Sequence, residues 1–183
     1  MSSVLSASQA FPDPRYPIGR FERPGVITLE ERRFAILTLA ELPEQLREAV
    51  RSLDEDQRNT PYREDGWTVR QLVHHIADSH MGGFQRLRLA LTEDWPTVSA
   101  YNEKAFALLA DAQAPIEWSL EIVESVHARW VMLLQSLTEE QWARGFRHVE
   151  RGPMQVDTAT LLYAWHGRHH VAHITHLRAL QGW

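Results

Sequence analysis

Near the C-terminus, five histidines fall within eleven residues: His166, His169, His170, His173 and His176. On a helix turning about 100° per residue, Leu162, His170, His173 and Leu177 all lie within about 40° of His166. One face of this helix thus begins and ends in leucine and carries imidazole where a bundle helix normally buries aliphatic side chains. Buried ring nitrogens need partners, so a fold that hides this face must bring other groups to it. A divalent cation is one such partner. Histidines spaced i, i+4 can share a cation, and both His166/His170 and His169/His173 have that spacing, which by itself does not choose between them. A third ligand is expected from a facing helix, because metal sites in bundles are built from inward side chains on neighbouring helices.

That helix is expected to start with Asp157 as N-cap and to run to about Ala179. Upstream, Leu39, Leu42, Leu46, Ala49 or Val50, and Leu53 recur at helical spacing over about 35–53, with Pro43 delaying or kinking the first half. Thr68 and Gln71 form a capping-box start for a second helix carrying Val69, Leu72, Ile76, Leu87 and Leu91. On it His75 lies beside the Leu72 and Ile76 face, which favours it over His74 and His80 as the third ligand. A third helix is expected from Pro115, with Ile116, Leu120, Val123, His127, Trp130, Leu134 and Leu137 as its stripe. Thr138 and Gln141 cap a brief further helix. The segment WPTVSAYNEKAFALLADAQAP reads as loop with one short helix, and GFRHVERGPMQV as loop or a small hairpin. No long alternation of the strand type occurs. The expected fold is all-α, a four-helix bundle over residues 26–183. Four of the nine prolines crowd FPDPRYPIGRFERPG, so residues 1–25 are expected to form an extended arm packed on the bundle or on a partner.

Composition removes several classes of function. There is no cysteine, hence no disulfide, thiolate metal ligand or cysteine nucleophile. A net charge of −5 without a basic run offers no footprint for nucleic acid. No segment reaches the ~20 apolar residues of a membrane span and the first residues lack a signal-peptide pattern, so a cytoplasmic protein is expected. A single histidine on an apolar face is ordinarily a hydrogen-bonded core residue, the expectation for His127. His148 is expected in solvent, and His74, His80 and His176 at the surface or supporting the ligands from behind. Asp78, three residues after His75, and Ser79, four after it, share a face with it and could orient a ligand or take up a proton. His173, one turn past His170, is a similar acid/base or supporting candidate. Trp67, Trp130 and Trp165 are expected in the core.

The segments TPYREDGWTVRQLVHHIADSHMGGFQRLRLALTED, RWVMLLQSLTEEQW and LLYAWHGRHHVAHITHLRAL, with the arm RYPIGRFERP, resemble the YfiT branch of the DinB-like superfamily of metal-dependent enzymes. The resemblance runs from about Tyr16 to Leu180 and rests above all on Trp67-x7-His75 followed by His166-x3-His170. It implies a four-helix bundle with unusual connections, a homodimer, and one zinc or nickel ion per chain held by His75, His166 and His170. The activity implied is hydrolysis of a small-molecule substrate by activated water. A related activity is transfer of a low-molecular-weight thiol of the bacillithiol type, and a metal-stabilised binding module without turnover is a third reading. Three protein ligands leave a coordination position open, as catalytic rather than structural zinc does.

Overall fold

Thr28 starts the first helix, earlier than the apolar stripe alone suggests. Its side chain accepts a hydrogen bond from the Glu31 N–H at 3.1 Å, while the Glu31 carboxylate accepts from the Thr28 N–H at 2.7 Å. This reciprocal cap satisfies two donors at the helix end, so α1 spans Leu29–Val50 rather than beginning near Ala35. Pro43 lies inside it without ending it. Equivalent boxes, Asp54 with Gln57, Thr68 with Gln71 and Thr138 with Gln141, begin α2 (Glu55–Arg58), α3 (Val69–Thr92) and α6 (Glu139–Ala143). Between them lie α4 (Glu103–Phe106), a 3-10 turn at Ala110–Gln113 and α5 (Ile116–Gln135). The last helix, α7, spans Val156–Gln181. Its N-cap is Gln155, not Asp157, which sits inside the first turn, accepts the Thr158 N–H at 2.6 Å and faces Arg32 at 3.4 Å. The computed structural model describes residues 13–183, so the first twelve residues of the expected arm lie outside it.

The four long helices, α1, α3, α5 and α7, form the bundle. Helix α1 packs against α5 and α7, and α3 packs against the same two. Sequence neighbours α1 and α3 are therefore diagonal, as are α5 and α7. That arrangement explains why the connections exceed hairpin length. It also makes α3 the neighbour of α7, which lets His75 reach the histidine helix.

Each long helix contributes to two apolar clusters. One gathers Leu39, Phe84, Trp130, Leu134, Phe146 and Ala159, the other Leu46, Leu72, Ile76, Leu120, Val123 and Ile174. Helices α1 and α7 pass from the first to the second, α3 and α5 from the second to the first, so the two pairs run in opposite senses. On α3, α5 and α7 the switch comes at His80, at His127, and between His166 and His173, of which His166 is half-buried. Imidazoles fill a layer between two apolar halves.

A small sheet, absent from the expected fold class apart from the hairpin, closes one end. Strands β2 (Gly145–His148) and β3 (Gly152–Gln155) pair antiparallel with His148 opposite Gly152, and β1 (Thr97–Val98) pairs parallel to β2 with Val98 opposite His148. Gly152, at φ +71°, closes the hairpin in the left-handed region that side chains other than glycine rarely enter. The arm from Asp13 onwards lies on the bundle: the Phe21 ring is 6.0 Å from Trp165, the Tyr16 ring 6.3 Å from His169, and Arg23 donates to the Pro153 carbonyl at 3.2 Å.

Candidate metal centre

His75 on α3 and His166 and His170 on α7 turn their Nε2 atoms towards one point. The His166 Nε2 lies 3.2 Å from the His75 Nε2 and 3.2 Å from the His170 Nε2. A tetrahedral cation with nitrogen ligands at about 2.0–2.1 Å sets its ligand atoms roughly 3.3–3.4 Å apart, so the spacing suits such an ion. Each ring also has a partner behind it. His75 Nδ1 is 3.5 Å from the Tyr101 hydroxyl, His166 Nδ1 is 3.0 Å from His80 Nε2, and His170 Nδ1 is 3.3 Å from His173 Nδ1. Ligand imidazoles are characteristically held this way, with one nitrogen for the metal and the other N–H donated to a fixed acceptor. The donor set fits a borderline divalent cation such as zinc or nickel.

Burial keeps these rings neutral. Desolvation lowers His75 to about 4 and, reinforced by the neighbouring histidines, holds His166 and His170 well below the usual imidazole range. Neutral nitrogen lone pairs crowded at 3.2 Å repel one another unless a proton or a cation lies among them.

Above the three histidines opens a cavity of about 460 Å³, a size suited to a small molecule. His75, Ser79, Arg86, Tyr101, His148 and Tyr163 are among its walls. Arg86 donates to the Tyr163 hydroxyl at 2.9 Å and to the Ser99 carbonyl at 2.9 Å, which holds a cation in the wall. Tyr16 of the arm reaches the same cavity.

Several expectations change here. His148 is not solvated: it lies on β2, is 9% exposed, and its Nδ1 accepts the backbone N–H groups of Glu150 and Arg151 at 3.2 and 3.3 Å. A neutral His148 therefore carries its proton on Nε2. His80 is 0% exposed and meets His166 directly, so of the two places expected for it the structure chooses support from behind. His127 is a buried, hydrogen-bonded core residue, as expected. Trp130 is fully buried, whereas Trp67 and Trp165 also line the cavity. Asp78 opens instead onto a neighbouring cavity of about 150 Å³ with His74 and Asp111, where burial and Asp111 raise its carboxyl pKa. Ser79, its neighbour, is the one that faces the histidines' cavity. His173 touches His170 from behind, with its ring 4.1 Å from Tyr62. Tyr101, Arg86 and Tyr163 escaped the sequence analysis because none belongs to a ligand spacing: Tyr163 stands only three residues before His166 and Arg86 six after His80, but what brings them together is the packing of α3 on α7. The frame-shifted group His169, His170 and His173 also comes together, all from α7.

A sequence model of the DinB superfamily matches residues 38–174. The chain belongs to the DinB superfamily. Relatives from Bacillus cereus (strain 03BB102), at 48% identity, and Bacillus mycoides (strain KBAB4), at 47%, each align over 93% of this chain and 99% of their own. Both carry the provisional name of metal-dependent hydrolase. The solved structure of YfiT from Bacillus subtilis, described as a probable metal-dependent hydrolase with an unusual four-helix bundle topology, superposes with a TM-score of 0.90. It is 42% identical over 93% of this chain and 98% of that one. The four-helix bundle protein TT2238, at 21% identity and a TM-score of 0.53, shares the fold over 83% of this chain and 99% of its own. Within this superfamily fold, no helix of the described residues is long and apolar enough to cross a membrane.

Proposed function

We propose that this DinB-superfamily protein is a metal-dependent hydrolase acting on a small molecule, with His75, His166 and His170 as ligands of one divalent cation, zinc or nickel. The observation that carries the proposal is the convergence of three Nε2 atoms, those of His75 and His170 each 3.2 Å from that of His166, beneath an open cavity. The alternative group on α7 lacks a ligand from a facing helix, and its His170 and His173 rings already face each other through their Nδ1 atoms. When bound, the cation supplies a Lewis acid and makes hydroxide available near neutral pH.

The chain's own groups complete the site. His173 accepts the Nδ1–H of His170 and keeps that ring turned towards the cation. Arg86, steadied by Tyr163, places positive charge where a substrate oxygen gains negative charge. His148 presents its Nε2–H to the cavity as a second donor. Tyr16, Trp67 and Trp165 offer apolar surface to the substrate and narrow the access of water. We assign no acid/base step to Asp78, since it faces the neighbouring cavity.

The test is metal analysis of untagged protein. His75→Ala, His166→Ala and His170→Ala should each empty the site, while His176→Ala should leave it occupied. Emptying by His169→Ala with retention in His166→Ala would move the site to the other frame. Turnover is then screened with ester and amide substrates. Turnover that instead requires bacillithiol, glutathione or mycothiol with an electrophile would replace hydrolysis by thiol transfer at the same site.

A further inference from the structure

Three hydrogen bonds lead from His166 through the middle of the bundle and end on a backbone carbonyl. His166 Nδ1 lies 3.0 Å from His80 Nε2, His80 Nδ1 lies 2.8 Å from His127 Nε2, and His127 Nδ1 lies 2.6 Å from the Leu39 oxygen. All four long helices take part, α7, α3 and α5 with a ring each and α1 with the carbonyl. His80 and His127 are 0% and 1% exposed, so water does not interrupt the chain.

The Leu39 carbonyl can receive a side chain because of Pro43. In an α-helix the oxygen of residue 39 would accept the N–H of residue 43, and proline has none. The orphaned acceptor sits in the core, where an unpaired carbonyl is strongly disfavoured, and His127 supplies the missing donor.

This end point dictates every proton behind it. A carbonyl oxygen only accepts, so His127 Nδ1 carries the hydrogen. A neutral imidazole has one N–H, which leaves His127 Nε2 as an acceptor and requires a proton on His80 Nδ1. His80 Nε2 is then bare and accepts from His166 Nδ1–H. His166 Nε2 is left with its lone pair exposed between His75 and His170. The opposite polarity would face the Leu39 oxygen with a ring lone pair at 2.6 Å in a dry core. Both rings are fully enclosed and hydrogen-bond only to other imidazoles and to a carbonyl, with no carboxylate among these partners to stabilise a charge, so both are neutral.

We infer that His80 and His127 are positioning residues of the metal centre, and that the carbonyl freed by Pro43 locks His166 in the Nδ1–H tautomer that leaves Nε2 free for the cation. The inference rests on the proposed function only in taking His166 as a ligand. Beyond orientation, donation of the His166 N–H to His80 raises the basicity of the nitrogen that meets the cation.

Nitrogen-15 NMR of histidine-labelled, full-length protein at neutral pH, zinc-loaded and metal-stripped, reads the tautomers directly. His80 and His127 should carry their proton on Nδ1 in both forms, and His166 should do so in the stripped form. A proton on Nε2 of any of these rings would overturn the inference. The pattern at His80 and His127 does not require a metal, so a chain that shows it but takes up neither zinc nor nickel defeats the proposed function and not this histidine relay. A second arm measures zinc affinity by chelator competition. His80→Phe and His127→Phe should weaken binding by about 10–100-fold. His80→Gln, whose carbonyl can accept from His166 while its amide donates to His127, should recover most of the loss. Unchanged affinity in both phenylalanine variants would also refute the relay. If those variants do not fold, the tautomers of the unmodified chain decide.

Discussion

His127 shows how a buried imidazole links pH to stability. Folding lowers it to about 4 by desolvation, and lowers His75 to about 4 by the same cause, whereas in the unfolded chain both titrate near ~6.5. Between these values the unfolded state binds more protons than the native state, so stability rises with pH through that window and levels off above it. The expected outcome for metal-free protein is a midpoint in urea that falls steadily as pH is lowered from about 6.5 towards 4. Replacing His127 by phenylalanine should flatten part of that slope, because one of the groups that must charge on unfolding is gone. A slope equal to that of the parent would mean that His127 titrates normally in the native state. At the same scale, His148 shows what residue spacing cannot convey. Its burial comes from the hairpin and from two backbone N–H groups that claim its Nδ1, neither of which is encoded in its neighbours as a pattern.

Helix α3 meets α7 closely at one point. A Cβ built on Gly83 would lie 2.3 Å from the Cζ of Tyr163, so the aromatic ring occupies the space that any other residue would fill. Tyr163 in turn receives the Arg86 N–H and lines the histidines' cavity. Alanine is favoured over glycine in a helix interior by about 1 kcal/mol, but here the ring is 8% exposed and cannot swing away. Gly83→Ala is therefore expected to lower stability by about 1–3 kcal/mol, as overpacking does, and to lower turnover by displacing Tyr163 and Arg86. A thermal melt checks the first effect, and a raised melting temperature would show that the helices can part without loss. The capping boxes at Thr68 and Thr138 were legible because they are local, four residues long and chemically specific. The box at Thr28 obeys the same rule, yet the apolar stripe further along drew the expected start to about Ala35. Pro43 misleads in the same direction, since a proline is expected to delay or kink the helix that in fact runs through it. Its conformational conflict with a helix is resolved by a donor from another element, His127, which no local reading contains.

For the whole molecule, the histidine layer divides one bundle into two apolar halves, and the cation proposed at its edge would tie α3 to α7. A cation bound only by the native state stabilises it by mass action. Chelation should therefore lower the melting temperature of the parent, and it should have no effect on His166→Ala. Equal shifts in both would show that the metal acts elsewhere. We propose in addition that the protein is a homodimer. Light scattering should give about twice the 21.2 kDa of one chain at micromolar concentration, and a single-chain mass would exclude the dimer. Phe34 and Leu37 on α1 remain 59% and 55% exposed, an apolar surface that a second copy would cover.

The chain by itself determined that the fold is helical, where α3, α5 and α6 begin, and that α7 buries imidazole, because amphipathic period, caps and residue type act over a few residues. It also indicated that His75 looks inward, since its flanking Leu72 and Ile76 mark that face. What only the tertiary structure decided is which helices are neighbours, and hence which ring nitrogens meet. Placing α1 and α3 on opposite corners brings α3 against α7. That contact sets His75 beside His166 and His170, and it closes the path from His166 through His80 and His127 to Leu39. Hydrogen bonds between residues 40 to 90 positions apart depend on helix order and crossing, and neither leaves a trace in the spacing of residues along one helix.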